Sequence, residues 1–167
     1  MLQGDYQSVL DAKDESQFRS VVIRFAQHLG FDKVAATVAV DRLDGASEFV
    51  AIHNAPTAYL QTFEDLSISK RDPVAQHCKR HTVPIIWGQH TYVSSNAAEL
   101  WEHQARFGYG NGIAMALHLP EGRHFLLGVE RDQSLPSDGG ELTRIVADLQ
   151  LFAVHAQDTA LRVLVSQ

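Results

Sequence analysis

Lys33-Val-Ala-Ala-Thr-Val-Ala-Val-Asp41 is the run of residues from which the architecture is most readily predicted. It is rich in Val and Thr, whose branched side chains pack well on a pleated surface, so we expect a strand. A turn over residues 42–47 separates it from a second predicted strand, Glu48–His53. Further along, Ile113–Leu119 and His124–Arg131 predict another hairpin. Strands that arrive in pairs favour an antiparallel sheet over a parallel one.

Helices are predicted on both sides of these hairpins. Residues 14–30 have a capping box at Asp14 and Gln17, an apolar face at helical spacing, and Gly30 in position to end the helix. A long final helix is predicted from Asp138, with an apolar stripe that continues to Leu164. Three shorter helices are predicted at residues 56–65, 72–80 and 96–107. We therefore expect an α+β domain: an α-β-α sandwich with a central antiparallel sheet of about five strands, covered by helices on both faces.

Composition limits the classes of protein to which the chain can belong. With 167 residues and 45% apolar residues, residues 1–167 are expected to form a single domain with a sizeable core. The net charge of −6 and the absence of a long basic cluster argue against nucleic acid as the partner of this segment. One cysteine, Cys78, excludes an internal disulfide and suits a reducing compartment. No signal peptide and no apolar run near ~18 residues is present, so we expect a cytoplasmic domain with no membrane partner.

Aromatic residues surround one carboxylate between Asn54 and Tyr92. Tyr59, Trp87 and Tyr92 flank Asp72 in this stretch, a composition that suits an apolar pocket with a few placed polar groups. Asp72 precedes a proline, so it is also a candidate N-cap, and the two roles are compatible because a carboxylate has two oxygens. The aromatics could equally belong to the core. This stretch of sequence therefore predicts a binding site for a small organic ligand.

Other motifs contain residue types that can form chemical sites. His77, Cys78 and His81 have helical spacing, but no third metal ligand follows at matching spacing. The glycines of residues 108–112 precede a predicted strand, which favours a turn over a dinucleotide loop. Cys78 has no evident base and orienting group. We expect no metal, no cofactor and no catalytic residues.

The motif Asp72-Pro73-Val74, followed by Pro84-Ile85-Ile86-Trp87 and Tyr92, resembles a known family. It is similar to the N-terminal autoinducer-binding domain of LuxR-type quorum-sensing transcriptional regulators, which bind acyl-homoserine lactones. The resemblance covers nearly the whole chain. Further matching features are residues 28–33, the Asn54-x-Pro56 motif, Gly108 and Gly112.

The resemblance implies a ligand site in which Asp72 accepts the amide N–H of the signal. The residues that it places in the site are Asp72, Tyr59, Phe63, Trp87, Tyr92, Trp101, Val74, Thr37, Ala35 and Ala39. Relative to the family, Tyr59 keeps a hydrogen-bond donor, Phe63 has none, and no Ser or Thr lies between Arg123 and Arg131. The expected ligand is therefore an acyl-homoserine lactone or a related amide-bearing signal, with a non-lactone signal read by an orphan receptor as the alternative.

The resemblance also implies partners. In the family a helix-turn-helix DNA-binding domain follows in the same polypeptide, and it is absent from this chain, which stops at Gln167. The last helix is expected to take part in a homodimer. Two less favoured functions are a small hydrolase that uses Asp72 with a histidine, and a ligand-free dimerisation module.

Overall fold

The computed structural model describes residues 2–60 and 72–165. Its helices are α1 (Leu2–Asp11), α2 (Glu15–Leu29), α3 (Thr57–Leu60), α4 (Pro73–Arg80), α5 (Ser95–Ala105) and α6 (Gly139–Leu164). Its strands are β1 (Lys33–Asp41), β2 (Ser47–His53), β3 (Ile85–Trp87), β4 (Asn111–Leu119) and β5 (Arg123–Arg131). Short 3₁₀ turns lie at Gln89–Thr91 and Pro120–Gly122.

The strands form one antiparallel sheet in the order β2-β1-β5-β4-β3. Both predicted hairpins are confirmed, and β1 pairs with β5 to join them. Between the hairpins, residues 82–89 contribute a strand of only three residues, Ile85–Trp87. The predicted α+β class with helices on both faces of the sheet is confirmed.

Local signals set the ends of α2 as expected. Asp14 accepts a hydrogen bond from the Gln17 backbone N–H at 2.8 Å. Gly30 has φ 101°, a left-handed conformation that glycine adopts without the steric penalty of a side chain. The Phe31 N–H then bonds back to the Ala26 carbonyl at 2.9 Å. The Asp14 side chain and the glycine therefore fix where this helix begins and ends, while the Gln17 side chain accepts the Lys13 N–H at 2.9 Å instead of completing a capping box.

The helix α1 was not predicted from the sequence. Its Val9 is fully buried, and its Asp5, only 1% exposed, pairs with Arg24 at 2.9 Å and with His28 at 2.6 Å. The Thr159 hydroxyl of α6 donates to the Val9 carbonyl at 2.7 Å. Contacts with α2 and α6 hold this helix in place. No pattern within residues 2–11 predicts those contacts.

One face of the sheet packs against α1, α2 and α6 and forms the main core. Alternate strand residues point to this face: Val34, Ala36, Val38, Ile113, Met115, Phe125, Leu127 and Val129. Phe25 of α2 and Phe152 of α6 stack with ring centroids 3.8 Å apart. The two-residue period of the strands and the apolar faces of the helices thus meet in one layer.

The opposite face of the sheet carries smaller side chains, and α4 lies over it. Ala35 pairs with Gly128, and Gly128 pairs with Ala114, so three small residues lie side by side across β1, β5 and β4. A second, smaller cluster of buried residues lies beside them, formed by Trp87, Tyr92, Ala97 and Leu100. Small side chains under a helix leave space, and this face contains the cavities described below. Among the described helices, none is long and apolar enough to cross a membrane.

Candidate functional site

A cavity of about 280 Å³ lies between the small-residue face of the sheet and helices α3, α4 and α5. We call it the aromatic cavity. It is lined by Val34, Ala35, His53, Ala55, Tyr59, Leu60, Asp72, Val74, Trp87, Tyr92, Gln104, Tyr109, Ala114 and Glu130. The lining is mostly apolar and contains two carboxylates, a composition suited to a small ligand that is oriented by a few polar contacts.

Asp72 is the N-cap that the sequence predicts, and it also lines the aromatic cavity. It is the N-cap of α4, since its Oδ1 accepts the Val74 N–H at 2.9 Å. The same oxygen accepts the Tyr92 hydroxyl at 3.1 Å, and the residue lines the cavity. Burial raises the pKa of Asp72, while the hydrogen bonds from Val74 and Tyr92 act in the opposite direction. The carboxylate is thus held in place at the edge of an apolar space.

Tyr92 connects Asp72 to α5 through a hydrogen-bond chain. Gln104 Nε2 lies 3.3 Å from the Tyr92 hydroxyl and 3.3 Å from the Tyr109 carbonyl, and it donates to both. Gln104 is buried, so its amide fixes the Tyr92 ring in relation to Asp72. Trp87 meets the Tyr92 ring edge-on, with centroids 5.9 Å apart. Burial raises the pKa of the Tyr92 hydroxyl, which therefore stays protonated and remains a donor.

Tyr59 and Tyr109 form an aromatic wall. Their rings stack with centroids 4.3 Å apart and an interplanar angle of 14°. The ring centroids of Phe107 and Tyr59 lie 5.1 Å apart, and the Lys33 ammonium lies 5.3 Å from the centroid of the Tyr109 ring. Burial raises the pKa of both tyrosines. The wall is therefore neutral and offers rings together with hydroxyl groups.

Glu130 is the second carboxylate of the cavity, and sequence reasoning did not assign it to the site. It lies on β5 with the same orientation as Gly128, which places it on the cavity face of the sheet. Burial, aided by the charges of Asp72 and Asp32 and opposed by Lys33, raises the pKa of Glu130 to about 7. Alternation with Phe125, Leu127 and Val129 could have identified the face, but a charged residue there normally indicates solvent.

The predicted site residues fall into groups. Asp72, Tyr59, Trp87, Tyr92, Val74 and Ala35 line the aromatic cavity. Thr37 and Trp101 do not line it, and the Trp101 indole N–H donates to the Gly110 carbonyl at 3.0 Å. Phe63 lies outside the described residues. Sequence reasoning missed Gln104, Tyr109, His53 and Glu130 as lining residues, because they come from four separate elements or turns that only the folded chain brings together.

Ala39 lines a second cavity, of about 360 Å³, at the other end of the same sheet face. We call it the histidine cavity; it is lined by Ala39, Asp41, Ser47, Phe49, Ala75, Cys78, Lys79, His118, His124 and Leu126. Ala35 of the aromatic cavity and Ala39 of the histidine cavity are four residues apart on β1, so roughly 13 Å separates these two positions.

The polar groups of the histidine cavity do not form a nucleophile–base pair. Asp41 accepts the Ser47 hydroxyl at 2.9 Å and pairs with His124 at 2.8 Å, so both neighbours bind the carboxylate rather than each other. His118 Nδ1 lies 2.8 Å from His124 Nδ1. Burial raises the pKa of the Cys78 thiol to about 11, which disfavours the reactive thiolate. In residues 2–60 and 72–165, no group of three or more His, Cys, Asp or Glu side chains could hold a metal ion.

Comparison with known proteins adds a family match. Residues 14–160 match the model of a family described as "Autoinducer binding domain". The chain is 25% identical over 107 residues to the transcriptional activator protein AnoR of Acinetobacter nosocomialis, which covers 64% of this chain and 45% of that protein. It is 21% identical over 129 residues to the transcriptional activator protein AhyR of Aeromonas hydrophila, and the match covers 75% of this chain and 50% of AhyR. The chain spans about half the length of these curated relatives.

Solved structures share the fold. The N-acylhomoserine lactone dependent LuxR family transcription factor CepR2 from Burkholderia cenocepacia superposes with a TM-score of 0.80 and 18% identity, over 96% of this chain and 94% of that one. SdiA of Escherichia coli superposes with a TM-score of 0.81 and 18% identity, over 99% of this chain and 70% of SdiA. At these identities the likeness is one of fold.

Proposed function

Because this chain belongs to the family of autoinducer-binding domains, we propose that it is the sensor module of a quorum-sensing transcriptional regulator. Its signal is an acyl-homoserine lactone or a related amide-bearing molecule, bound in the aromatic cavity. One observation carries the choice of site: the Asp72 carboxylate lines an apolar cavity and is held there by Val74 and Tyr92. A charged acceptor binds an amide N–H more strongly than a neutral one does.

Each wall of the cavity has a role in this proposal. Asp72 accepts the amide N–H of the signal, while Trp87, Tyr92 and the Tyr59–Tyr109 wall enclose its head group. Its tail lies over the small residues of β1, from Ala35 past Thr37 toward Ala39. Each buried CH₂ contributes about 0.8 kcal/mol, so the tail supplies much of the affinity. A complex of SdiA with octanoyl-rac-glycerol supports the view that a domain of this fold can take an acyl ligand without a lactone ring.

The proposal is non-catalytic. Neither carboxylate of the aromatic cavity bonds to a histidine among the described residues, so no general acid–base pair supports ring opening. Incubation of the protein with acyl-homoserine lactones should leave the lactone intact, as measured by mass spectrometry. Turnover would contradict this part of the proposal.

The rest of the regulator would act through partners. A helix-turn-helix domain after residue 167 would bind DNA in the cytoplasm, and α6 would contribute to a homodimer. Leu151 and Val154 of α6 are 47% and 51% exposed, which supports an apolar contact there. Light scattering of the purified protein with and without signal tests the dimer.

The principal test is identification of the small molecules that co-purify with the protein, followed by thermal shift with a panel of acyl-homoserine lactones. Ligand binding to the folded state alone should raise the melting temperature in proportion to the logarithm of ligand concentration. Asp72→Asn should abolish that rise without unfolding the protein. A rise that persists in Asp72→Asn would leave Asp72 with the N-cap role only.

A further inference from the structure

We infer that the signal carries a second hydrogen-bond donor, a hydroxyl or ammonium group, and that Glu130 binds this donor at the floor of the aromatic cavity. The inference rests on the proposed function, because it takes the aromatic cavity as the signal site and Asp72 as the acceptor of the amide N–H. Glu130 would then determine specificity, and the preferred ligand would carry a donor that a plain acyl amide lacks.

The first observation is the position of Glu130 on the cavity floor. A Cβ atom built on Gly128 would lie 3.1 Å from Glu130 Oε1. The carboxylate therefore folds back over Gly128, where a side chain at residue 128 would meet it. Ala35 and Ala114, the partners of Gly128 on both neighbouring strands, line the same cavity. The Glu130 carboxylate lies over these three small residues and lines the aromatic cavity.

The second observation is that this carboxylate accepts no hydrogen bond from the part of the chain that the structure describes. Lys33, whose positive charge lowers the pKa of Glu130, makes its ion pair with Asp32 at 2.8 Å. The Tyr92 hydroxyl donates to Asp72, and the Gln104 amide donates to Tyr92 and to the Tyr109 carbonyl. These donors of the cavity wall are thus committed to other acceptors.

An acceptor that has no donor among residues 2–60 and 72–165 has a consequence for ligand chemistry. The half-buried Glu130 carboxylate loses part of its hydration and receives no hydrogen bond from the described residues, and this desolvation raises its pKa to about 7. Asp72 lies in the same cavity and adds a second negative charge. A ligand that presents only carbonyl oxygens to Glu130 meets repulsion, whereas a hydroxyl or ammonium group forms a charge-assisted hydrogen bond.

A matched series of ligands isolates this contact. N-octanoyl and N-dodecanoyl derivatives of propylamine, ethanolamine and ethylenediamine share the tail and the amide N–H, and differ only in the terminal methyl, hydroxyl or ammonium group. Affinity for the purified protein is measured at pH 8, where Glu130 is largely ionised. The hydroxyl or the ammonium compound should bind at least about tenfold more tightly than the propylamide, and the two arms identify which donor is used.

Variants assign the preference to Glu130. In Glu130→Met the three amides should bind with affinities within about twofold of each other. In Glu130→Gln the ammonium compound should lose its advantage while the hydroxyl compound keeps part of it, since the Gln carbonyl still accepts. The exposed Glu102→Gln serves as the matched control and should retain the wild-type preference.

The outcomes separate the two proposals. Equal binding of all three amides to the wild type, or a preference that persists in Glu130→Met, would overturn the role of Glu130 and leave the signal site intact. Tighter binding of the propylamide would show that an apolar methyl group, and not a hydrogen-bond donor, is preferred beside Glu130, which also overturns the inference. No binding of any amide or lactone would overturn the proposed function and the inference together.

Discussion

The two faces of the sheet use the same strands in opposite ways. On the face toward α1, α2 and α6, large side chains such as Phe125, Ile113 and Phe152 are at most 1% exposed and interlock. On the face toward α4, Ala35, Gly128 and Ala114 lie side by side and two cavities open above the sheet. Because side chains alternate between faces, one strand can supply residues to a dense core and to the floor of a cavity. Residue parity along β1, β4 and β5 therefore separates the positions that fill the core from those that line the cavities.

Truncation on the dense face should have the largest effect. Phe152→Ala removes a fully buried ring stacked 3.8 Å from Phe25 and should lower the free energy of unfolding by about 3–5 kcal/mol. Tyr59→Ala, on the cavity face, should cost under about 2 kcal/mol because its ring already borders empty space. Urea unfolding followed by circular dichroism measures both. Equal losses would contradict the separation of the two faces.

The next effect concerns pH. Glu130 has a pKa of about 7 in the fold, against about 4.3 in an unfolded chain, so the folded state holds its proton more tightly. Its stabilising contribution is therefore complete at low pH and is lost as pH rises through 7. Relative to Glu130→Gln, the wild type should lose roughly 2–3 kcal/mol between pH 4.5 and 8.

Unfolding free energies of both proteins across that range measure the difference, and the exposed Glu102→Gln should track the wild type. A constant difference between wild type and Glu130→Gln would show that Glu130 is as well solvated in the fold as in the unfolded chain.

The small-residue face can be probed at its glycines. A Cβ at residue 112 would lie 2.6 Å from the Val129 carbonyl oxygen and 2.7 Å from the Trp87 ring, so Gly112→Ala should cost roughly 1–3 kcal/mol. At residue 128 the nearest atom is the Glu130 carboxylate at 3.1 Å, which can move, so Gly128→Ala should cost under about 1 kcal/mol. Thermal unfolding compares them. A reversed order would mean that Glu130 cannot shift and that Trp87 can.

The smallest effect is expected at the cap of α4. Asp72→Ala should lower stability by about 1 kcal/mol, and Asp72→Asn by a few tenths, because Asn also caps helices. Chemical unfolding without ligand measures both. If Asn proves as costly as Ala, the negative charge of Asp72 is required by Tyr92 and not only by the helix.

The sequence was most informative where the signal is local. The capping box at Asp14, the glycine at residue 30 and the Val-rich run 33–41 predicted α2 and β1, and the hairpins followed from strand spacing. Asp72 was identified together with its cap role and its place in a pocket, because Asp-Pro is a local motif. Helix α1 was missed because contacts outside it hold it in place: Asp5 bonds to Arg24 of α2, and the Val9 carbonyl bonds to Thr159 of α6, 150 residues away.

For the candidate site, sequence alone determined which residues were aromatic, which strand positions were small, and that one carboxylate precedes a helix. Only the tertiary structure decided that Gln104 holds Tyr92, that Tyr109 stacks on Tyr59, and that Glu130 shares a cavity with Asp72. Local hydrogen bonds and side-chain alternation act over a few residues, so a sequence pattern reveals them. The direction in which a strand's polar face points, toward water or toward a covering helix, depends on packing between distant segments. That packing places Glu130 in the aromatic cavity and not on an open surface.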